Sequence, residues 1–389
     1  MTIAHSGTTR IDKPLGAAIA AILAIGLAGC STAATPSVEP GGSAPVSPSS
    51  SAEGPTPGST SNSPSAPPPS ASAGDLADLP TVEGTLNDVL IGDGIVVTAG
   101  FSGPRGAPSI LVYEDGAWST AVVPGTRGQV MGLAQLGGQL IAVGNELPDA
   151  RTGFIWTSED GRSWTEATSI DDAALYEVVA THDVAVAVGA HLDEEMASVA
   201  ASWTSSDGEA WSEGVVEGAD GSSIRSVTVW SGGFAASGEG PNEATQPIWT
   251  AVDPAEWTSL TTDLEPPRIV IEIVDWAGGL AAAGASDKSG NQHPFVALSG
   301  DGAAWTQTML SPDEEGYASS IALAGETLVA AGVDADRLTL WTLAGDAWQP
   351  QTIEPEGATI SAMAWTPDLG LVGVGSKGGN QALWRLGGD

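Results

Sequence analysis

From about residue 75 to the C-terminus the apolar positions fall into short runs that each close on a glycine. They read IVVTAG ending at Gly100, LIAVG at Gly144, VAVAVG at Gly189, GFAASG at Gly238, GLAAAG at Gly284, TLVAAG at Gly332 and LVGVG at Gly375, seven copies spaced 43 to 49 residues apart. A second marker follows six of them at a near-constant offset, a polar turn closed by tryptophan: EDGAW (Trp118), SEDGRSW (Trp164), SSDGEAW (Trp211), VDPAEW (Trp257), SGDGAAW (Trp305) and AGDAW (Trp348). Two independent markers with one period define a repeat. Within a unit the pattern is that of strands: IRSVTVW, GFAASG, PIWTAV and EWTSL are four β-rich runs separated by tight turns. Nowhere does a 3.6-residue period run long enough for a substantial helix.

Four strands in about 45 residues make a unit that cannot bury both its faces alone and stacks radially on its copies. The expectation is an all-β fold, a seven-bladed β-propeller of four-stranded antiparallel blades, with six or eight blades as the alternatives. The seventh unit stops three strands in, at Leu383-Trp384-Arg385-Leu386. Leu76 to Val82, just before the first unit, is placed to supply the missing strand and cover the open edge.

The turns of Ser158, Asp160, Gly161 and Trp164, of Ser205, Asp207, Gly208 and Trp211, and of Ser299, Asp301, Gly302 and Trp305 share the pattern S-x-D-G-x-x-W. This resembles the Asp-box of sialidase-like (BNR-repeat) propellers, whose usual S-x-D-x-G-x-T-W has one more residue between Asp and Trp. The expected role is structural: Asp accepts hydrogen bonds from turn amides, Gly supplies a positive φ, and Trp folds into the space between blades. In sialidases such turns lie on the rim away from the catalytic face, so the resemblance implies a fold and no chemistry at the turn.

A functional site is expected where inner strands converge on the central channel. Twelve residues before the first six marker glycines stand Asp88, Gly132, Glu177, Ser226, Glu272 and Ser320, with Ala362 thirteen before Gly375, all polar or small, each followed by a residue that is mostly apolar. That alternation suits a strand with one face inside a blade. Asp88, Glu177 and Glu272, joined by Arg225, are the candidates at the channel mouth. The resemblance also raises sialic-acid hydrolysis, which uses three arginines, a Tyr–Glu pair and an acidic Asp. Arg127, Arg225, Arg268, Tyr176 and Tyr317 fall near inner-strand starts, but the Phe-Arg-Ile-Pro signature of many sialidases is absent and Arg127 and Arg268 precede Arg225 in repeat register. A catalytic set is therefore not expected.

Composition adds compartment and excludes partners. The 389-residue chain carries 48 acidic and 12 basic residues, a formal charge of -36, which opposes nucleic acid as a partner. Its one cysteine, Cys30, ends Leu27-Ala28-Gly29-Cys30 after a short apolar run preceded by Arg10 and Lys13. That arrangement is similar to the lipobox of bacterial lipoproteins, in which the thiol is acylated and the signal removed. Residues 1–29 are then a lipoprotein signal peptide. Residues 30–74 form the lipidated Cys and a disordered Ser/Pro-rich linker, whose 44 positions after Cys30 reach about 35 to 40 Å. Residues 75–389 are the propeller. The expected location is the extracytoplasmic face of the cell membrane, held through the N-terminal lipid.

Other chemistry is sparse. The clusters His191-Leu192-Asp193-Glu194-Glu195 and Pro312-Asp313-Glu314-Glu315 lack the regular oxygen spacing of a calcium loop, so no cofactor is expected beyond weak Ca²⁺ binding. The expectation is a monomeric, non-catalytic binding or assembly module for a protein or glycan ligand, with a sialidase-like glycoside hydrolase at the channel mouth as the alternative.

Overall fold

A computed structural model describes residues 79–386 except 93, 126, 149–150, 194–196, 242–245, 265–267, 289–290 and 355–356. The lipobox Cys30, the linker and Leu76–Asp78 lie outside the described residues. Within them the chain forms seven antiparallel sheets arranged in a ring, a seven-bladed propeller with no helix among the described residues. The blades occupy 84–120, 129–171, 173–213, 223–260, 268–309, 316–354 and 358–386. In each, the first strand is innermost and the chain meanders outward; blade four gains a short parallel strand, Val215–Val216, from the connection before it.

The marker glycines have a common physical cause. Every inner strand carries a one-residue bulge opposite its marker, the extra residues being Asn87, Met131, Tyr176, Arg225, Ile271, Ser319 and Ser361. The bulge pushes an inner-strand carbonyl toward the second strand. A Cβ on Gly100, Gly144, Gly189, Gly238, Gly284, Gly332 or Gly375 would collide with the carbonyl oxygen of Thr85, Gln129, Ala174, Ser223, Ile269, Tyr317 or Thr359 respectively. Only glycine lets the two backbones approach so closely.

The core lies between blades rather than within one. Trp164 of blade two packs with Val97 and Ile110 of blade one, and Trp341 of blade six with Ala283 and Val296 of blade five. Trp156, Trp249 and Trp341 are completely buried. Each such indole withdraws about 150–250 Å² from water, so the ring is welded mainly by its aromatic seams. Blades one and six differ in their outer turns. Asp115 and Gly116 form a two-residue hairpin loop with φ of 53° and 81°, which matches the twist of the flanking strands without a serine bracket.

Ring closure brings the two chain ends together where it was expected, though of Leu76 to Val82 only Leu79–Val82 lies among the described residues. Blade seven has three strands among the described residues, and Leu79–Val82 is not one of a sheet. The ends meet through a few bonds instead: Gln381 N–H donates to the Val82 carbonyl at 2.8 Å, Gly84 N–H to the Gly379 carbonyl at 3.0 Å, and Glu83 bridges Asn380. The Gln381 amide adds bonds to the Phe101 carbonyl (2.7 Å) and Ser109 Oγ (3.0 Å) of blade one. Apolar packing of Leu86, Val89 and Val96 on Val372, Val374 and Leu383 completes the seam. Leu86 and Val89 are already used on the inner strand of blade one, so the side-chain seam can hold without a complete fourth strand.

Candidate functional site

The three channel carboxylates occupy one level of the ring because they sit directly after the bulge in blades one, three and five. Each reaches to the next blade's backbone. Asp88 Oδ2 accepts the Leu133 N–H at 2.7 Å, Glu177 Oε2 the Val227 N–H at 2.6 Å, and Glu272 Oε2 the Ile321 N–H at 2.5 Å. Ser226 does the same from blade four, its Oγ accepting the Ile273 N–H at 3.1 Å. Asp88 also uses Oδ1 on its own neighbour, Val89 N–H, at 2.7 Å. The preceding blade offers only Ala362 at this level, so Asp88 takes up a donor that Ala362 cannot.

Burial dominates the electrostatics of this ring. The carboxylates retain some exposure to the channel, yet the blades crowd out most of their solvent. Burial pushes Asp88 up to about 6 despite its hydrogen bonds from Leu133 and Val89. Glu272 is pushed up to about 8 by burial, against the opposing bond from Ile321 and with a smaller push from the charge of Asp88. Glu177 is raised well above the usual carboxylate range, first by burial and next by repulsion from Glu272. These are three mutually repelling acids at the centre of a chain that is already strongly acidic.

Arg225 does not join them. It is the extra residue of blade four's bulge, and its Nη2 donates to Glu239 Oε2 at 2.9 Å while the guanidinium lies 4.0 Å from the Tyr176 ring centroid. Burial raises the Tyr176 phenol, with Arg225 opposing. Arg127 is in a connecting loop and Arg268 begins the inner strand of blade five, so neither shares the level of Arg225.

At the other end of the strands, three turns repeat one set of bonds. Ser158 Oγ accepts the Gly161 N–H at 2.9 Å, Asp160 Oδ1 accepts Arg162 N–H (2.8 Å) and Ser163 N–H (2.9 Å), and Trp164 Nε1 donates to the Gly161 carbonyl at 2.8 Å. Ser205, Asp207, Gly208 and Trp211 do the same, as do Ser299, Asp301, Gly302 and Trp305. The glycines adopt φ of 71°, 76° and 79°. The amide bonds hold all three aspartates below the usual range. In blade four Pro254 replaces the glycine, yet its carbonyl still accepts Trp257 Nε1–H at 2.9 Å.

The opposite face, where inner strands begin, holds a feature the repeat does not announce. A cavity of about 810 Å³ opens between the ends of blades one, two and seven, lined by Glu83, Phe101, Arg105, Arg127, Leu147 and Pro148 among others. Arg105 sits at the tip of the turn Gly103-Pro104-Arg105-Gly106, closed by Gly106 N–H to the Gly103 carbonyl at 3.1 Å. Proline in the turn's second position presets its φ. Two further backbone bonds clamp the turn to both neighbours: Gly103 N–H to the Glu83 carbonyl (2.8 Å) and Gly128 N–H to the Gly106 carbonyl (3.0 Å). Arg105 is absent from the reading of the repeat because it belongs to neither marker. Its one signal in the sequence is Gly-Pro-Arg-Gly in a chain short of cations.

The acidic loops carry local bonds. Asp193 Oδ1 accepts the Ala197 N–H at 2.8 Å, His191 Nε2 lies 3.1 Å from Glu213 Oε1, and the Glu314 carbonyl lies 2.7 Å from His293 Nδ1. Among the described residues no group of three His, Asp or Glu is placed to hold a metal ion.

Comparison with known proteins defines a class and stops there. No family profile matches the chain, and no curated protein matches it. Solved structures do. The β-propeller domain of the Trilobed protease from Pyrococcus furiosus, described as having an open velcro topology, is similar over 80% of this chain and 95% of that one (10% identity, TM-score 0.52). An ulvan lyase of polysaccharide lyase family PL25 is similar over 79% and 94% (12% identity, TM-score 0.54). The β-propeller domain of Cps50 (Swd1) from Myceliophteria thermophila is similar over 76% and 96% (11% identity, TM-score 0.52). At such identities the likeness is one of fold, and functions as different as theirs share it.

Proposed function

We propose that this protein is a lipid-anchored, extracytoplasmic propeller that binds a protein or glycan ligand without turning it over. One observation carries the reading. The carboxylates a channel-mouth hydrolase would use are each bonded to a backbone N–H of the next blade, while the face where inner strands begin presents an open cavity. Leu27-Ala28-Gly29-Cys30 supplies the anchor and residues 31–74 the tether. The turns with Ser, Asp, Gly and Trp align the protein with BNR-type propellers, in which such turns are scaffold. The chain acts as a monomer, and neither nucleic acid nor a resident cofactor enters the reading.

A second reading rests on Glu272. With its pKa pushed up to about 8 it is protonated at neutral pH, as the general acid of a glycoside hydrolase must be. Full-length protein and its Glu177→Gln and Glu272→Gln variants, screened against envelope glycans and envelope proteins, separate the two. Binding without turnover, retained in both variants, supports the binding module. Glycan hydrolysis abolished by either variant overturns it in favour of the hydrolase. For the anchor, Cys30→Ser should release the protein from membranes into the soluble fraction. Retention of the variant in membranes removes the lipid from the account.

A further inference from the structure

The cations of this chain are few, and among those whose side chains are described all but two are spoken for. Among those whose side chains are described, Arg162 pairs with Glu114, Arg225 with Glu239, Arg337 with Asp334, Lys377 with Glu354 and Arg151 with Asp172, while Arg385 donates to the Leu369 carbonyl. Arg105 and Arg127 have no hydrogen-bond or ion-pair partner among the described residues, and both line the same cavity. In a chain with 48 acidic residues, an arginine left open is not short of internal carboxylates to meet. Both line one cavity, on loops clamped to each other by a backbone bond, and together they offer that cavity two guanidinium groups for an anion from outside.

The clamp is specific to these loops. A Cβ on Gly106 would collide with Leu147, and one on Gly128 would lie 2.8 Å from the Asn145 carbonyl. Both glycines also hold positive φ, 64° and 154°. The close approach that sets Arg127 beside the Arg105 turn therefore needs glycine at both contact points.

We propose that this cavity binds an acidic saccharide, one bearing a carboxylate or sulfate, and so deepens the binding-module reading on which it rests. The volume of about 810 Å³ far exceeds a lone inorganic anion and suits a small oligosaccharide. The walls are mixed in the way a sugar is mixed. Phe101, Pro104, Leu147 and Pro148 offer apolar surface to the ring's C–H face, Glu83 accepts from hydroxyls, and the two guanidinium groups take the acid. Glu83 also lowers the local positive charge, which disfavours simple anions that offer no hydroxyl in return. A chain of charge -36 repels polyanions at long range, so binding depends on direct contact in this cavity.

The test uses full-length protein with trigalacturonate and a sulfated dextran oligosaccharide as acidic probes, and with neutral dextran and sodium sulfate as controls, read by calorimetry. The expected result is binding of at least one acidic probe, none of neutral dextran, and a tenfold or greater loss of affinity in Arg105→Gln and in Arg127→Gln. Both variants should melt like the parent, because both side chains are exposed. Failure of both acidic probes, sulfate binding as tightly as the oligosaccharide, or affinity unchanged in the variants overturns the inference. If the acidic probes fail while another envelope ligand binds without turnover, the inference falls and the binding-module reading stands.

Discussion

The channel and the cavity hold opposite kinds of charge in opposite conditions. At the channel, Asp88, Glu177 and Glu272 are crowded, repel one another, and are each tied to a backbone N–H across a blade boundary. At the cavity, Arg105 and Arg127 are exposed and unbonded among the described residues, while the backbone beneath them is tightly tied. The contrast separates a charged group used as a bracket from one held ready for a ligand. A bracket's worth lies in the partner it satisfies, so its removal damages the fold. A ligand group's worth lies outside the molecule, so its removal should leave the fold intact.

The largest effect should come from breaking the bulge that aims the brackets. Gly284→Ala places a Cβ into the Ile269 carbonyl, which cannot yield without moving a strand, and 3.1 Å from the Phe295 ring. A loss of about 3 kcal/mol or more is expected, read as a fall in the denaturant midpoint. A loss within about 0.5 kcal/mol would mean that the close approach is not needed. Next comes Glu272→Ala, which leaves the Ile321 N–H without its acceptor inside the ring and should cost about 1–3 kcal/mol. No cost would show that the bracket holds nothing.

A subtler comparison keeps the bracket and removes only its charge. A carboxylate whose folded pKa is raised binds its proton more tightly in the native state, so stability is fullest near or below the unfolded value of about 4 and falls as pH rises toward the folded one. For Asp88 that decline runs to about 6 and for Glu272 to about 8. The chain's overall repulsion gives the same sign, so the slope alone does not isolate the ring. Glu272→Gln does, because its amide oxygen can still accept the Ile321 N–H. The variant should melt with the parent at about pH 4 and above it at about pH 9. Equal melting at the higher pH would remove the ring from the pH response. The smallest effect belongs to the cavity: Arg105→Gln and Arg127→Gln should change stability by less than about 0.5 kcal/mol. A larger loss would make these arginines part of the scaffold and erase the contrast.

Much of the scaffold was legible in the sequence for reasons internal to one blade. The marker glycine is demanded by a bulge whose two strands are neighbours in the chain, and Asp160 bonds to amides two and three residues ahead. Such contacts repeat with the chain and print a period on it. The level of Asp88, Glu177 and Glu272 was legible too, because a fixed offset from the glycine selects it. Their partners were not: the donor N–H sits one blade away, 45 to 50 residues along the chain. Arg225 shows the same limit, since the bulge that places it beside Tyr176 and Glu239 also separates it from the carboxylate level.

The sequence by itself determined the number of blades, the order of strands within each and the turns with Ser, Asp, Gly and Trp, because local hydrogen bonding and close backbone packing impose those residues wherever the unit recurs. Only the tertiary structure decided how the ring closes and what gathers at its open face. Gln381 meets Phe101 across 280 positions, and Arg105 and Arg127 come from different loops that two glycines allow to touch. A contact made once, between distant segments, leaves no period to read. It depends on the whole ring being in place before the two groups are near each other.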